Sequence, residues 1–302
     1  MTDRFALTQA PHGPSDSDSI PAPTGREPPL VGLPGSQASA YFDLTAAYWR
    51  DIYAQPSVQG LVYRERFERV LGWCDRLLAH RPGQILEIGP GAGRLTVELA
   101  RRDHHVHSID SSQEMLELTA RHAAEFGLEE RVTVAVGDVH RLAFPDQSFD
   151  LVVAVGVLPW LEDPALGLHE MARVLVPGGY AILTADNRAR MNVLVEPRLS
   201  PVLAPAKAAR RALRRRRGFR PESAVSRMHS RRALHRMLRA TPLLLVSETT
   251  LGFGPFTFLD HKLLPDPLGM WVHRRLQALA DRDVRPVRSM GWHHLIVARR
   301  RA

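Results

Sequence analysis

Cysteine and lysine are nearly missing from this 302-residue chain: Cys74 is its one cysteine, and only Lys207 and Lys262 among its 40 lysines and arginines are lysines. A single cysteine excludes an internal disulfide framework and any cysteine-cluster metal site, and no resident metal is expected. Within "VLGWCDRLL" Cys74 reads as a small buried apolar residue. Uninterrupted apolar runs of the ~18 residues that span a membrane are also lacking. The first residues, "MTDRFALTQAPHGPSDSDSI", contain acids and no apolar stretch of signal-peptide length, so a cytoplasmic protein is expected. Acids are absent from "KAARRALRRRRGFR", residues 207–220, which holds Lys207 and seven arginines. That tract carries as much positive charge as the whole chain's formal net +8, so the charge is one local feature and the remainder is near neutral. The arginine skew fits a GC-rich coding sequence better than selection for phosphate contacts.

With 44% hydrophobic residues the chain can bury one sizeable core. Residues 1–38, as in "APHGPSDSDSIPAPTGREPP", show almost no apolar periodicity and read as a disordered leader. From Tyr41 to Leu78 apolar and aromatic residues recur at helical spacing, with Pro56 and Gly60 separating two or three helices, so 39–80 forms a helical cap. Strands and helices then alternate through 81–302. "QILEIG" is a buried strand and "RLTVELARR" the helix after it. "HVHSID" closes a second strand at Asp110, followed by a helix with a capping box at Ser111 and Glu114 and a stop at Gly127. "RVTVAVGD" is a third strand ending in Asp138. "FDLVVAVGVL" is a fourth, continuously apolar as a central parallel strand is. Asp163 and Pro164 cap the helix "ALGLHEMARVL", which "PGG" ends before the fifth strand "YAILTAD". This order implies an α/β, doubly wound parallel sheet with right-handed crossovers.

In such a sheet ligands bind beyond the carboxyl ends of the strands, where the crossover direction switches. The first turn there is "ILEIGPGAG", residues 85–93. A dinucleotide turn spaces its glycines G-x-G-x-x-G. Here the third glycine, Gly93, comes one residue early and Arg94 holds the dinucleotide position, which argues against NAD.

Glu87 before the turn, Asp110, "GD" at Gly137 and Asp138, and the run "LAFPDQSFDLVVAVGVLPWLEDPALGLHEMARVLVPGGYAILT" together carry a resemblance. From Gln84 to Thr184 the chain resembles the class I S-adenosylmethionine-dependent methyltransferases, in their small-molecule branch typified by quinone-biosynthesis enzymes. It departs from the pattern "LPFPDxSFD…RVLKPGG" at Ala143 and Val176. The resemblance implies a Rossmann-like, doubly wound seven-stranded sheet whose strand seven, "HHLIVARR", is antiparallel, with a helical N-terminal extension. Two lid-like insertions, 188–229 and 255–292, would roof the methyl-transfer site and set specificity.

S-adenosylmethionine is the implied donor. Gly89, Pro90, Gly91, Ala92 and Gly93 would pass close to its methionine part, where side chains would collide. Glu87 would hold the turn or the amino group, and Asp110 would accept both ribose hydroxyls. Asp138 and the Val139 backbone would read the adenine edge, with Ser111 and Met115 flanking base or ribose. Val155 and Gly156 would lie nearest the sulfonium methyl. Taken alone, Asp110 is equally an N-cap for the next helix.

Methyl transfer is an in-line displacement from an activated donor, and a general base is needed only when the acceptor must lose a proton. The fold therefore dictates no catalytic residue, and whether O, N or C is methylated stays open. Among fourteen histidines, His261 in "FTFLDHKLLPD" is the candidate, against the plainer reading of a satisfied loop residue, while His293 and His294 read as the start of the last strand. Trp160, after strand four, and Tyr48, Trp49 and Tyr53, on one expected helical face, are candidate acceptor contacts; packing on the core is the competing reading. The expected partner is a small organic acceptor, a metabolite or a lipid-like molecule. RNA methylation is the rival enzyme reading, disfavoured because "GVLPWL" replaces an Asn/Asp-Pro-Pro-aromatic motif and no RNA-binding module is visible; a non-catalytic donor-binding module is the third. Written as a helix, residues 202–217 place Val202, Leu203, Ala206, Ala209 and Leu213 opposite the basic residues. That pattern suits weak association with an anionic membrane surface, or a merely solvated helix.

Overall fold

The computed structural model describes residues 38–79, 81–197, 226–259 and 261–302. The 1–37 part of the leader, the basic tract 207–220 and the amphipathic stretch 202–217 lie outside the described residues. Two helices come first, α1 (Ala38–Asp51) and α2 (Val58–Leu77), joined by a 3-10 turn at Ile52–Ala54. The Ser57 hydroxyl accepts the Gly60 N–H at 3.1 Å and so caps α2. Gly60 thus lies inside the first turn of α2 and separates nothing.

The alternating unit follows: β1 (Gln84–Ile88), α3 (Arg94–Ala100), β2 (His105–Asp110), α4 (Gln113–Glu125), β3 (Val132–Val136), β4 (Phe149–Ala154), α5 (Pro164–Val174) and β5 (Leu175–Asn187). The described remainder holds β6 (Met228–His229), α6 (Arg231–Arg239), β7 (Leu243–Leu251), a hairpin of β8 (Thr257–Phe258) and β9 (His261–Lys262), α7 (Asp266–Asp281) and β10 (His293–Arg300). The sheet runs β3-β2-β1-β4-β5-β10-β7. Neighbours from β3 to β5 pair in parallel, and β10 pairs antiparallel with both β5 and β7. An eighth, two-residue strand, β6, joins β5 through Asp186 and Asn187. The expected seven strands are therefore eight, because β5 runs past the strand-four end and leaves edge backbone to pair.

Apolar residues of α2 and α3, including Val70, Cys74 and Leu99, cover one face of the sheet, and α5 and α6 cover the other with Leu168, Met171, Leu234 and Leu238. That two-sided burial is why β4 reads as a continuous apolar run. The crossovers diverge between β1 and β4, which places the glycine turn at the switch point.

Three local readings change. The capping box at Ser111 does not form; Ser112 is the N-cap and accepts the Met115 N–H at 3.2 Å, because Asp110 takes the Ser112 N–H at 2.9 Å and shifts the helix start by one residue. "PGG" lies within β5 as an irregularity, the register moving from Phe149 opposite Leu175 to Leu151 opposite Tyr180. Of the insertion 255–292 expected to roof the site, only Trp292 among the described residues lines the cavity under the sheet's carboxyl edge. α7 packs along α2 instead, held by Asp266 accepting the Val58 N–H, by Arg69–Asp281 at 2.6 Å and by His273–Glu65 at 3.0 Å. No helix among the described residues is long and apolar enough to cross a membrane.

Candidate active site

A cavity of about 900 Å³ opens where β1, β2, β4 and β5 end, with α1 and α2 above it. That volume holds two small ligands side by side.

At one end lies the glycine turn. Gly93 stands at φ +75°, and a Cβ there would come within 2.8 Å of the Thr119 backbone, so the third glycine is required by the close approach of α3 and α4. Gly91, at φ +60°, differs: a Cβ there would meet no protein atom within 4 Å and would project into open space. Only Gly91 leaves room that a ligand would use; at Gly89 and Gly93 the collision expected with a ligand is with the protein itself. α4 braces the turn, Thr119 Oγ1 donating to the Gly91 carbonyl at 3.1 Å and His122 Nδ1 standing 3.2 Å from the Ala92 carbonyl. Beneath it, buried Glu87 accepts hydrogen bonds from Thr96 Oγ1 at 2.5 Å and Ser108 Oγ at 3.4 Å. Burial pushes its carboxyl up to about 7 against those two bonds. Glu87 ties β1 to α3 and β2, so holding the turn is the role its bonds support.

Asp110 is free of capping duty because Ser112 performs it. Its carboxylate takes the Ser112 N–H at 2.9 Å, and the residue lines the cavity. Burial pushes it up to about 6, with nearby Asp43 adding to the effect and the Ser111 and Ser112 N–H groups opposing it. Ser111 and buried Met115 line the same wall. Asp138 is exposed, and its carboxylate is turned to its own loop, accepting from His140 N at 2.9 Å and lying 2.7 Å from His140 Nδ1. Buried Val139 sits beside it. Val155 and Gly156 follow β4 at the middle of the cavity, the Gly156 N–H donating to Thr184 Oγ1 at 2.6 Å.

Aromatic rings form the other end. Trp160 stacks on Tyr41 at 5.4 Å and meets Phe42 edge-on at 5.1 Å; Trp49 touches Phe42 and Tyr63, at 6.0 and 5.7 Å. Trp49, Tyr53 and Trp160 line the cavity. Tyr48 does not; it is 7% exposed and packs with Ile52 and Tyr63. At 3.6 residues per turn Trp49 and Tyr53 share a face, whereas Tyr48 falls a third of a turn away, with Ile52. Arg94, the residue in the dinucleotide-glycine position, lies over the Tyr53 and Phe67 rings at 5.2 and 4.9 Å. The roof is fastened beside Asp110 by Ser112 Oγ, which donates to Asp43 on α1 at 2.5 Å.

His261 is exposed on the β8–β9 hairpin and does not line the cavity, so it is withdrawn as a catalytic candidate. Three histidines do line it: His122, whose Nδ1 is engaged by the Ala92 carbonyl, His140, paired with Asp138, and His293. His293 Nδ1 is 3.1 Å from Asp186 Oδ1, and Trp292 stacks on the ring at 5.0 Å and 12°. Sequence reading passed over this pair, since its two members are 107 residues apart and only the β5–β10 register sets them opposite one another. Arg66 of α2, 7% exposed, completes this wall with its guanidinium 4.4 Å above the Tyr63 ring. Among the described residues no His, Cys, Asp and Glu cluster is arranged to hold a metal ion.

Residues 86–183 match the family described as "Methyltransferase domain". The chain is 31% identical over 149 residues to the ubiquinone biosynthesis O-methyltransferase of Aeromonas salmonicida, covering 49% of this chain and 61% of that protein. It is 37% identical over 111 residues to the phosphatidylethanolamine N-methyltransferase of Cereibacter sphaeroides, covering 36% and 54%. The chain thus spans about three fifths or less of the length of these curated relatives. Among solved structures it resembles magnesium protoporphyrin IX methyltransferase from Synechocystis PCC 6803 with bound SAH, at TM-score 0.58 and 16% identity over 87% of this chain and 97% of that one. It also resembles the 4+2 cyclase SpnF, at TM-score 0.56 and 18% identity over 90% and 98%. At such identities the likeness is one of fold, and the fold is shared by a protein titled a cyclase.

Proposed function

Since the chain belongs to the class I S-adenosylmethionine-dependent methyltransferases, small-molecule branch, we propose that it methylates a small organic acceptor, a metabolite or lipid-like molecule, held between the donor and the aromatic roof. The residues present fit the donor. Gly91 leaves a space that a Cβ would fill, and Asp110 presents a carboxylate to the same cavity. When bound, the donor supplies a methyl group on a sulfonium, already activated for displacement.

The protein's share is alignment and exclusion of water. Asp110 would accept the ribose hydroxyls, and the turn Gly89–Gly93 would cradle the methionine part. Asp138 has its carboxylate engaged by His140, so the Val139 backbone is the better candidate for the adenine edge. Val155 and Gly156 would flank the reacting methyl. Trp49, Tyr53 and Trp160 would hold the acceptor and shut out solvent.

The observation that carries this reading is Asp110, relieved of capping by Ser112 and lining the cavity that the glycine turn opens. Calorimetry with S-adenosylmethionine tests it: Asp110→Ala weakens binding by about 1.5–3 kcal/mol, the value of hydrogen bonds to a charged group. Unchanged affinity, or preferential NAD binding by the wild-type chain, contradicts it. The basic stretch 202–217 supports salt-sensitive association with anionic membrane surfaces. Co-sedimentation with anionic vesicles, reduced when Arg214, Arg215, Arg216 and Arg217 become Ser, is the expected result; equal, negligible sedimentation of both proteins is the contrary one.

A further inference from the structure

We propose that His293, oriented by Asp186, is the proton acceptor of the reaction, and that the methyl acceptor is therefore a hydroxyl compound of the phenol or enol type. The inference rests on the methyl-transfer reading above.

The geometry begins in the sheet. Asp186 near the end of β5 lies opposite His293 at the start of β10, and the two side chains meet at 3.1 Å. A carboxylate only accepts hydrogen bonds, so the shared proton sits on Nδ1 and the lone pair on Nε2. Asp186 is itself fixed by Ser226 Oγ, which donates to its other oxygen at 3.0 Å. Trp292 stacked on the imidazole and Tyr63 edge-on at 6.2 Å hold the ring plane.

Nε2 is left over. It is buried and has no hydrogen-bond partner, although leaving such an atom unpaired costs about 1–3 kcal/mol. A cavity-lining histidine with one nitrogen anchored and the other bare is arranged to take a proton from an occupant. Nε2 is shielded from solvent, so the hydroxyl has to reach it from the cavity that the ring lines.

Charges around the ring suit that task. Burial lowers the imidazole's affinity for a proton, Asp186 raises it, and Arg66 and Arg190 lower it further, leaving it below the ordinary histidine value. His293 is neutral at pH 7 and ready to accept. Arg66 pairs with no acidic side chain among the described residues, and its Nη1 lies 3.8 Å from where a Cβ on Gly156 would stand. It offers a positive charge between the β4 end and His293, where an oxygen anion would develop.

The hydroxyl proton passes to Nε2; an oxygen electron pair forms the new O–CH3 bond; the S–CH3 bond breaks with its pair returning to sulfur, leaving a neutral thioether and an imidazolium. An amine in its neutral form attacks without such a base, which is why the dyad points to oxygen.

The direct test is nitrogen NMR of the full chain carrying 15N-labelled histidine, with His293 assigned from His293→Gln or, should that variant not fold, from His293→Phe. At pH 7 the ring is expected neutral with its proton on Nδ1, and Asp186→Asn is expected to lose that single tautomer. A proton on Nε2, or a charged ring at pH 7, overturns the proposal without touching the methyl-transfer reading. Calorimetry separates the two: His293→Gln keeps S-adenosylmethionine affinity within about twofold, whereas absence of binding to the wild-type chain would strike the reading beneath. Given catechol and 4-nitrophenol as acceptors, His293→Gln lowers kcat by about 10²–10⁴-fold and removes the acidic limb of the pH profile. Equal turnover by the variant, or wild-type methylation of amines and of neither phenol, overturns it.

Discussion

At the proposed donor end of the cavity, Glu87, the glycine turn and Asp110 all belong to one β-α-β unit, β1-α3-β2, whose strands pair in register from Gln84 opposite His105 to Ile88 opposite Ile109. The proposed acceptor end gathers Trp49 from α1, Arg66 from α2, Trp160 from the turn after β4, and Asp186 and His293, 107 residues apart on two strands. Short-range chain geometry builds the first, and long-range register and helix packing build the second. The donor end therefore survives changes elsewhere that the acceptor end does not.

Deletion is the harshest way to break that contrast. Removing residues 1–37 is expected to leave turnover intact, whereas removing 1–55 takes away α1, with Phe42, Trp49 and the Asp43–Ser112 tether, and abolishes it. Retained turnover in the longer deletion would refute the roof. Next come two adjacent aromatics on α1. Tyr48→Ala empties a packed site and costs about 3–5 kcal/mol of stability by denaturant unfolding, with donor affinity preserved. Trp49→Ala, whose ring lines the cavity, costs less stability and raises the acceptor KM. Reversed effects would exchange their assignments.

The sequence made the donor end legible because each of its signals is local. Glycine spacing, an acid closing a strand and Asp163 with Pro164 opening α5 depend on neighbours a few residues away, and Asp163 does accept the Ala165 and Leu166 N–H groups at 3.0 and 3.1 Å. Where a local signal points one position off, as with Ser111 in place of Ser112, tertiary geometry decides: the Asp110 carboxylate takes the Ser112 N–H. The acceptor end was hidden for the same reason. His293 reads as the first residue of a strand until β10 is laid antiparallel to β5, and only then does Asp186 appear beside it. His261 drew attention through a neighbouring acid and nearby aromatics in sequence, yet the hairpin carries it to the surface. Tyr48 is expected on one helical face with Trp49 and Tyr53, but a helix separates adjacent residues by about 100° and turns Tyr48 away from the cavity.

Behind the acceptor end, Glu248 of β7 offers a smaller effect. It lies 2.7 Å from Arg231 Nε, 2.8 Å from His235 Nε2 and 3.3 Å from His294 Nδ1. Burial raises its carboxyl, but these partners outweigh that and hold it down at about 2. A depressed acid stabilises the fold above its unfolded value near 4.5 and loses that contribution as pH falls towards 2. Glu248→Gln is expected to cost on the order of 2–3 kcal/mol at pH 7, with the gap to wild type closing between about pH 4.5 and 2 in chemical denaturation. A gap independent of pH in that range would remove the ion network from the support of β10.

The most direct test of the account is the pH dependence of S-adenosylmethionine affinity, measured by calorimetry on the wild-type chain and on Asp110→Asn. The Asp110 carboxyl is raised to about 6, chiefly by burial, so its charged, hydrogen-bond-accepting form dominates at pH 7 and is mostly lost at pH 5. Glu87, raised to about 7 chiefly by burial with the Asp110 charge adding to it, titrates in the same range in both proteins, so their difference reports the Asp110 carboxyl together with its effect on Glu87. The wild-type chain is predicted to bind roughly tenfold more weakly at pH 5 than at pH 7, one unit of protonation on each side of the transition, while Asp110→Asn binds weakly at both with this tenfold component gone. Equal affinities of the two proteins at pH 7, or the same pH dependence in both, would contradict the placement of the donor at Asp110.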